Sequence, residues 1–299
     1  MAVTTTSVTR ARSRVSAYVA LTKPRIIELL LVTTVPTMVV AARGLPSGWL
    51  VLATLAGGTL AAGGANAINM YVDRDIDRIM KRTRHRPLVT GEIEPMNALV
   101  FAVALEVAAF VLLWTAVRPI SAVLALSATL FYVFVYTLWL KRTSTNNIVI
   151  GGAAGAVPVL VGWSAVTGGL GLAPLVLFGL IFLWTPPHFW ALAIRYRDDY
   201  AAADVPMLPA VASMEDTCTR IDRYTVAVVV ASLILGPVAH LGAVYVVVAG
   251  ALGAVFLLRA LQLHRDPTAK RAMQLFGWSI TYVTLLFSTM ALDMILRHL

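Results

Sequence analysis

Long stretches without charged side chains are the feature of this sequence that most restricts its fold. From Trp49 to Tyr71 the chain carries only apolar, small and uncharged polar residues. A bilayer core of about 30 Å needs about 20 helical residues to cross it, because every backbone polar group there must be bonded internally. Nine apolar stretches therefore predict an all-α integral membrane protein, with spans near residues 26–42, 49–71, 96–117, 119–140, 146–168, 171–194, 224–240, 242–262 and 273–296.

The low charge content supports the same fold class. Charged residues make up 13% of the 299 positions, whereas a soluble domain carries about 25%. We therefore predict a single polytopic membrane domain over residues 1–299, in which residues 1–20 form a basic, disordered cytoplasmic lead. The single cysteine, Cys218, excludes an internal disulfide framework.

The positions of the positive charges predict the orientation in the membrane. Nearly all of the 24 Lys and Arg residues lie in the N-terminal lead or after even-numbered spans, and only Arg43, Arg118 and Arg297 lie on the other side. Cytoplasmic loops are rich in Lys and Arg, so these segments are expected in the cytoplasm. Topology thus accounts for the net charge of +9, and no nucleic acid is expected as a partner. The short N-terminus favours a bacterial cell membrane.

A polar row lies at the end of the second predicted span. Asn69, Asp73 and Asp77 are spaced at i, i+4 and i+8, so they project from one face of a helix. Lys81 continues this row, whereas Asp75 points away from it. Amide and carboxylate oxygens suit a hard divalent cation such as Mg²⁺, which is commonly bound through a few carboxylates together with substrate phosphates. The alternative is a solvated, ion-paired helix end.

A second acidic group follows the sixth predicted span. In "RYRDDYAAADVPMLP", Asp198 and Asp199 come after Arg195, and Asp204 follows five positions later. Both acidic groups lie in the two longest inner loops, about 73–95 and 195–223, which hold most of the 15 acidic residues. If the two loops meet over one cavity, two metal-binding groups can clamp one diphosphate between them.

A diphosphate site at a membrane surface indicates a lipid-tailed substrate whose chain lies in the bilayer cavity. The chemistry that fits is ionisation of an allylic diphosphate, in which metal and Lys or Arg neutralise the leaving group and the protein excludes water. The carbocation is then captured by an electron-rich acceptor. This reaction requires no activated Ser or Cys nucleophile.

Four stretches resemble the UbiA superfamily of intramembrane prenyltransferases, and most closely its haem-farnesylating branch. They are "LTKPRIIELLLVTTVP" at 21–36, "NMYVDRDIDRIMKRTRHRPL" at 69–88, "WTPPHFWALAIRYRDDYAAADVPMLP" at 184–209 and "SITYVTLLFSTMALD" at 279–293. The resemblance implies nine transmembrane helices around a central cavity, with Mg²⁺, farnesyl diphosphate as donor and haem B as acceptor. It also implies a hydroxyethylfarnesyl product, membrane lipid as surroundings and a haem A synthase as downstream partner.

The resemblance also implies site residues. Asn69, Asp73 and Asp77 match the first diphosphate–Mg²⁺ motif, and Asp198 and Asp199, with Asp204, match the second. Further residues are candidates for diphosphate contacts, with cytoplasmic anchoring as the alternative for several of them. These candidates are Lys81, Arg82, Arg86, Lys23, Arg25, Lys141, Arg142 and Arg195.

His188 lies within the sixth span, directly after Pro186 and Pro187. Two successive prolines donate no backbone hydrogen bonds, so we expect the helix to kink or unwind there. Imidazole is a common axial ligand of haem iron, and His188 is therefore a candidate haem-binding residue. The alternative is a polar side chain satisfied by carbonyls freed at the proline break. Glu106 also lies within a span, and the sequence assigns it no role.

Two other functions remain open at this stage. A prenyltransferase of the same fold could act on a quinone-precursor ring, although the "WTPPHFW" and "YRDDY" stretches favour haem. A transporter would place ionisable residues near the midplane of several helices. Here the acidic residues crowd one membrane face, which disfavours transport.

Overall fold

The computed structural model describes residues 13–298, apart from the side chains of residues 25, 26 and 28–31. The described part is helical and contains no strand. Its elements are α1 (Arg14–Thr22), α2 (Pro24–Ala42), α3 (Gly48–Val72), α4 (Arg74–Ile79), α5 (Pro87–Thr90), α6 (Pro95–Ala116), α7 (Pro119–Leu130), a π-helix (Phe131–Leu140), α8 (Lys141–Thr143), α9 (Asn147–Thr167), α10 (Leu172–Arg195), α11 (Arg197–Ala202), α12 (Leu208–Val211), α13 (Met214–Val238), α14 (Ala243–Arg265) and α15 (Ala269–His298).

The predicted all-α membrane bundle is confirmed. Each of the nine predicted spans coincides with a long helix, α7 forming one unit with the π-helix and α8. Within the described residues, eight helices are long and apolar enough to cross a membrane, and Val32–Ala42 of α2 is a shorter apolar stretch. Many large apolar side chains remain exposed, among them Val247 and Leu292. Such side chains suit contact with lipid tails, so the chain is a multi-pass membrane protein.

The seventh helix begins earlier than predicted. α13 starts at Met214 rather than near residue 224, because the Ser213 hydroxyl caps it by accepting the N–H of Asp216 at 3.0 Å. The first turns of α13 are polar and extend the helix beyond its apolar part, which hydropathy does not detect. As a result, the connection between α10 and α13 spans only residues 196–213.

Two other expectations about local structure differ from what is found. α10 continues without interruption from Leu172 to Arg195 through Pro186 and Pro187, so of the predicted kink or unwinding, the helix does not unwind. Residues on several faces of α10 are buried against neighbouring helices, and this packing keeps the helix together despite the lost backbone donors. Residues 14–20, expected to be disordered, belong to α1, whereas residues 1–12 lie outside the described residues.

Glycines allow α3 and α6 to pack closely. A Cβ atom at Gly57 would lie 2.5 Å from Leu113, and one at Gly64 would lie 2.6 Å from the Glu106 carboxylate. The same carboxylate accepts a hydrogen bond from Thr129 of α7 at 3.2 Å. Close helix approach is the usual role of small residues in membranes, and Glu106 here connects three helices.

Candidate active site

One cavity of about 1000 Å³ lies between the helices. Its walls come from α2, α3, α7, the π-helix, α9, α10 and α15. Most charged side chains gather at one end, and apolar or small side chains, together with His188, line the rest. The polar group consists of Lys23, Asn69, Asp77, Arg82, Arg86, Lys141 and Tyr200. The cavity therefore has the shape and chemistry of a site for an amphiphile with a charged head.

The polar row from the first motif lies at this end. Asp73 connects α3 to α4, and the bonds Asp73 N–H to Asn69 O at 2.9 Å and Asp77 N–H to Asp73 O at 2.8 Å keep the helical spacing. Asn69 also donates its amide to the Asp73 carboxylate at 2.7 Å. All three side chains are buried, with Asp73 fully inaccessible. The i, i+4, i+8 spacing thus gives one shared face.

Each member of this row is paired with a cation from another part of the chain. Lys141 forms an ion pair with Asp73, and Arg86 contacts both oxygens of Asp77, at 2.8 and 2.6 Å. Lys23 donates to the Asn69 amide oxygen at 2.7 Å. Burial and the nearby Arg86 and Lys141 hold the pKa of Lys23 well below its usual value. The buried charges of Asp73 and Asp77 are therefore compensated by Lys141 and Arg86.

Arg142 supports the row from outside the cavity. It contacts both oxygens of Asp75, at 2.7 and 2.8 Å, and lies 3.6 Å from Asp73. The hydrogen bond from Arg142 lowers the pKa of Asp75 to about 2. Asp75 is largely exposed and points away from the row, as its spacing predicts.

The second motif meets the first through Arg82. The backbone N–H of Arg82 donates to Oδ2 of Asp199 at 3.1 Å, and its guanidinium lies 5.5 Å from the centre of the Tyr196 ring. Asp199 and Tyr200 are both buried, and burial raises the pKa of Tyr200. The loop after α4 and helix α11 therefore lie on the same side of the membrane and border the same cavity.

Several candidates lie elsewhere. Lys81, Asp198, Asp204 and Arg195 are exposed and outside the cavity, and the side chain of Arg25 lies outside the described residues. The prediction that Lys81 continues the polar row is wrong, because α4 ends at Ile79 and Met80 is extended.

The donor atoms of the row decide whether it can hold a divalent cation. Among the residues that the structure describes, no group of three or more His, Cys, Asp or Glu side chains stands close enough to hold a metal. The first motif nevertheless presents one amide and two carboxylate groups. Oδ1 of Asp73 is buried and has no hydrogen-bond partner in the described part of the chain. This donor set fits Mg²⁺ when substrate phosphates complete the coordination.

The π-helix adds residues that sequence reasoning missed. Tyr132 and Tyr136 line the cavity and stack on each other with ring centres 5.3 Å apart. Thr137 accepts a hydrogen bond from the Asn69 amide at 3.2 Å and donates to the Tyr132 carbonyl at 2.8 Å. Such helices occur frequently at functional sites. The sequence offered only an aromatic-rich span, "FYVFVYTLWL", as a signal.

His188 faces the cavity through one edge. Its ring is stacked between Trp184 at 4.2 Å and Phe276 at 4.5 Å, and Nδ1 is 2.7 Å from the Ser279 hydroxyl. The partner on α15 replaces the backbone carbonyls expected at the proline break. Because both faces and Nδ1 are engaged, Nε2 is the nitrogen left to contact a ligand in the cavity.

Comparison with known proteins identifies the family to which this fold belongs. A family model described as the UbiA prenyltransferase family matches residues 30–287. The chain belongs to this family. Two UbiA-fold structures show the same fold at low identity. Digeranylgeranylglyceryl phosphate synthase aligns with a TM-score of 0.77 and 16% identity, over 94% of this chain and 99% of that one. A UbiA homologue from Archaeoglobus fulgidus, bound to DMAPP and Mg²⁺, aligns with a TM-score of 0.67 and 17% identity, over 91% and 99%.

Closer UbiA relatives carry a more specific name. A protein from Renibacterium salmoninarum named protoheme IX farnesyltransferase is 53% identical, over 94% of this chain and 90% of that protein. A protein of the same name from Frankia alni is 55% identical, over 93% and 98% of the two chains. The similarity therefore extends over nearly the whole length of the chain.

Proposed function

We propose that this UbiA-family chain is a protohaem IX farnesyltransferase, which transfers the farnesyl group of farnesyl diphosphate to a vinyl group of haem B. The observation that carries this proposal is the cavity of about 1000 Å³, which has an apolar remainder and a charged end, formed by Lys23, Asn69, Asp77, Arg82, Arg86, Lys141 and Tyr200. The names of relatives at 53% and 55% identity support haem as the acceptor. The product, haem O, would supply a downstream haem A synthase and thus the terminal oxidases.

The reaction balances without a protein nucleophile. The bond between C1 of the farnesyl group and the diphosphate oxygen breaks, and diphosphate leaves with the electron pair. The allylic cation bonds to the terminal vinyl carbon of haem, and water adds to the inner vinyl carbon with loss of a proton. The residues of the charged end therefore need to bind and stabilise the leaving group.

Asn69, Asp73 and Asp77 would hold Mg²⁺ together with diphosphate oxygens, and Asp199 would support the opposite side of the head group. Bound Mg²⁺ supplies charge neutralisation on the leaving diphosphate. The structure of a UbiA homologue bound to DMAPP and Mg²⁺ supports this use of metal. Asp198, Asp204, Lys81 and Arg195 receive no role, because their exposed side chains lie outside the cavity.

The Lys and Arg side chains that contact the row would bind the phosphate oxygens of the substrate. Lys141, Arg86 and Lys23 contact Asp73, Asp77 and Asn69 respectively. When metal and diphosphate bind, these Lys and Arg side chains can transfer to phosphate oxygens without crossing the membrane, since they already line the cavity. Arginine and lysine are the residues that bind phosphate most strongly in proteins.

The aromatic residues near the charged end would protect the carbocation. Tyr132 and Tyr136 line the cavity, and Thr137 connects their helix to Asn69. An aromatic face attracts a positive charge, and bulky rings exclude water from the reacting carbon. His188 would contact the haem substrate through Nε2, either at the iron or at the ring.

We also propose that the charged end faces the cytoplasm of a bacterial cell. Lys and Arg residues are concentrated on that side of the predicted spans. Farnesyl diphosphate would then enter from the compartment where soluble diphosphates occur, with its tail in the membrane.

The acceptor is tested with purified protein in lipid nanodiscs, supplied with farnesyl diphosphate and Mg²⁺. Haem B and a hydroxylated aromatic acid, as a quinone precursor, are offered in separate reactions. The expected result is a farnesylated, hydrated haem in the mass spectrum and an unmodified aromatic acid. Farnesylation of the aromatic acid alone would reject haem as the acceptor.

A further inference from the structure

Two glycines that line the cavity differ from their packed neighbours. On α3, a Cβ at Gly57 would clash with Leu113 at 2.5 Å, whereas a Cβ at Gly58 would meet nothing within 4 Å. On α9, a Cβ at Gly152 would lie 2.9 Å from Thr185, whereas one at Gly155 would meet nothing within 4 Å. Gly57 and Gly152 are therefore needed for helix packing, whereas Gly58 and Gly155 leave open space in the cavity.

Neither open glycine is required by the backbone. Gly58 and Gly155 lie within helices, and neither has the positive φ that favours glycine. Glycine inside a helix destabilises it by about 0.5–1 kcal/mol relative to alanine. Both residues line the cavity. The fold would therefore accept a side chain at either position, and the space they leave open is available to a ligand.

The two glycines lie at different depths from the charged end. Gly155 is seven residues from Ile148 at the start of α9, which corresponds to about 10 Å along the helix. Gly58 is eleven residues from Asn69 on α3, or about 16 Å. An isoprene unit contributes four main-chain carbons, and with bonds of about 1.5 Å it extends by about 5 Å.

We propose that the open space at Gly155 and Gly58 receives the second and third isoprene units of the donor, and that these two glycines make the cavity accept a fifteen-carbon prenyl chain. The proposal rests on the proposed function for the nature of the donor. Three isoprene units span about 15 Å, so the end of a farnesyl chain reaches the depth of Gly58. A ten-carbon geranyl chain ends near Gly155.

The test replaces Gly58 with leucine in the full-length protein and compares two donors. Binding of geranyl and farnesyl diphosphate is measured by calorimetry with Mg²⁺ and without haem, so that the reading does not depend on the acceptor. In Gly58→Leu, the Kd for farnesyl diphosphate should rise by about tenfold or more relative to that for geranyl diphosphate. An unchanged ratio of the two Kd values would overturn the proposal.

Gly179→Leu is the matched control. Gly179 also lies in a membrane helix with nothing within 4 Å of its Cβ position, but it is outside the cavity, so the ratio should equal that of the unchanged protein. If Gly58→Leu fails to fold, the same ratio of Kd values is measured for Gly58→Ala. The ratio is then expected to rise by a smaller amount in the same direction. If the protein binds farnesyl diphosphate but does not farnesylate haem, the proposed acceptor is rejected. The comparison of the two Kd values remains valid in that case.

Discussion

The backbone N–H of Arg82 donates to Oδ2 of Asp199 at 3.1 Å, although 117 positions separate the two residues. This bond joins the loop after α4 to helix α11 at the charged end of the cavity. A hydrogen bond to a charged group contributes about 1.5–3 kcal/mol. Arg82 lines the cavity, as does Tyr200, the residue after Asp199, so the bond fixes the distance between the two motifs.

Removal of this carboxylate should weaken substrate binding. In Asp199→Ala, we expect the KM for farnesyl diphosphate to rise by about tenfold, since the loop that carries Arg82 loses its attachment. The matched variant Asp198→Ala removes an exposed carboxylate on the same helix and should have a smaller effect. Steady-state kinetics at saturating haem measure both. A larger loss in Asp198→Ala would contradict the assignment of Asp199.

Metal and diphosphate should bind together. Lys141 and Arg86 already compensate Asp73 and Asp77, so a divalent cation alone would have to displace them. We therefore expect Mn²⁺, observed by electron paramagnetic resonance, to bind at least about tenfold more tightly when inorganic diphosphate is present. Equal affinity with and without diphosphate would show that the Lys and Arg pairs do not oppose metal binding.

His188 should affect haem and not the donor. In His188→Ala, we expect the absorption spectrum of bound haem to change and the Kd for haem to rise, because the substitution removes the imidazole whose Nε2 would contact haem. The Kd for farnesyl diphosphate should stay within about twofold. Ser279→Ala, which removes the partner of Nδ1, should give a weaker change of the same kind. An unchanged haem spectrum in His188→Ala would exclude contact with the iron.

The packing of α3 against α6 predicts a difference between adjacent glycines. Gly57→Ala forces a Cβ into Leu113 and should lower the free energy of unfolding by about 1–3 kcal/mol. Gly58→Ala adds a methyl group in open space and should not reduce stability. Thermal unfolding of both variants in the same detergent is the measurement, and equal losses would contradict the close contact.

Much of the bundle could be predicted because lipid imposes simple rules. Apolar length located the nine long helical segments of the described residues, and the spacing of Asn69, Asp73 and Asp77 predicted their common face. Hydropathy does not detect polar turns, so the start of α13 at Met214 was missed. Tertiary packing determined the continuity of α10 through Pro186 and Pro187, which local propensity contradicts.

The details of the charged end depend on contacts that are distant in sequence. Spacing favoured Lys81 as the next member of the row, whereas the partner of Asp73 is Lys141, 68 positions away. The π-helix that brings Thr137 to Asn69 has no recognisable pattern. Such pairs form only when separate helices meet. The sequence therefore predicts which residues gather at the charged end, but not which of them form ion pairs or hydrogen bonds with one another.

The most direct test of the account compares two neighbouring aspartates in the haem farnesylation assay. Asp73→Asn removes a buried charge from the polar row, and Asp75→Asn removes an exposed charge that lies outside it. We expect the first variant to reduce kcat/KM by about a hundredfold or more and the second to reduce it by less than about threefold. Farnesylated haem formed by Asp73→Asn at the rate of the unchanged protein would contradict the account.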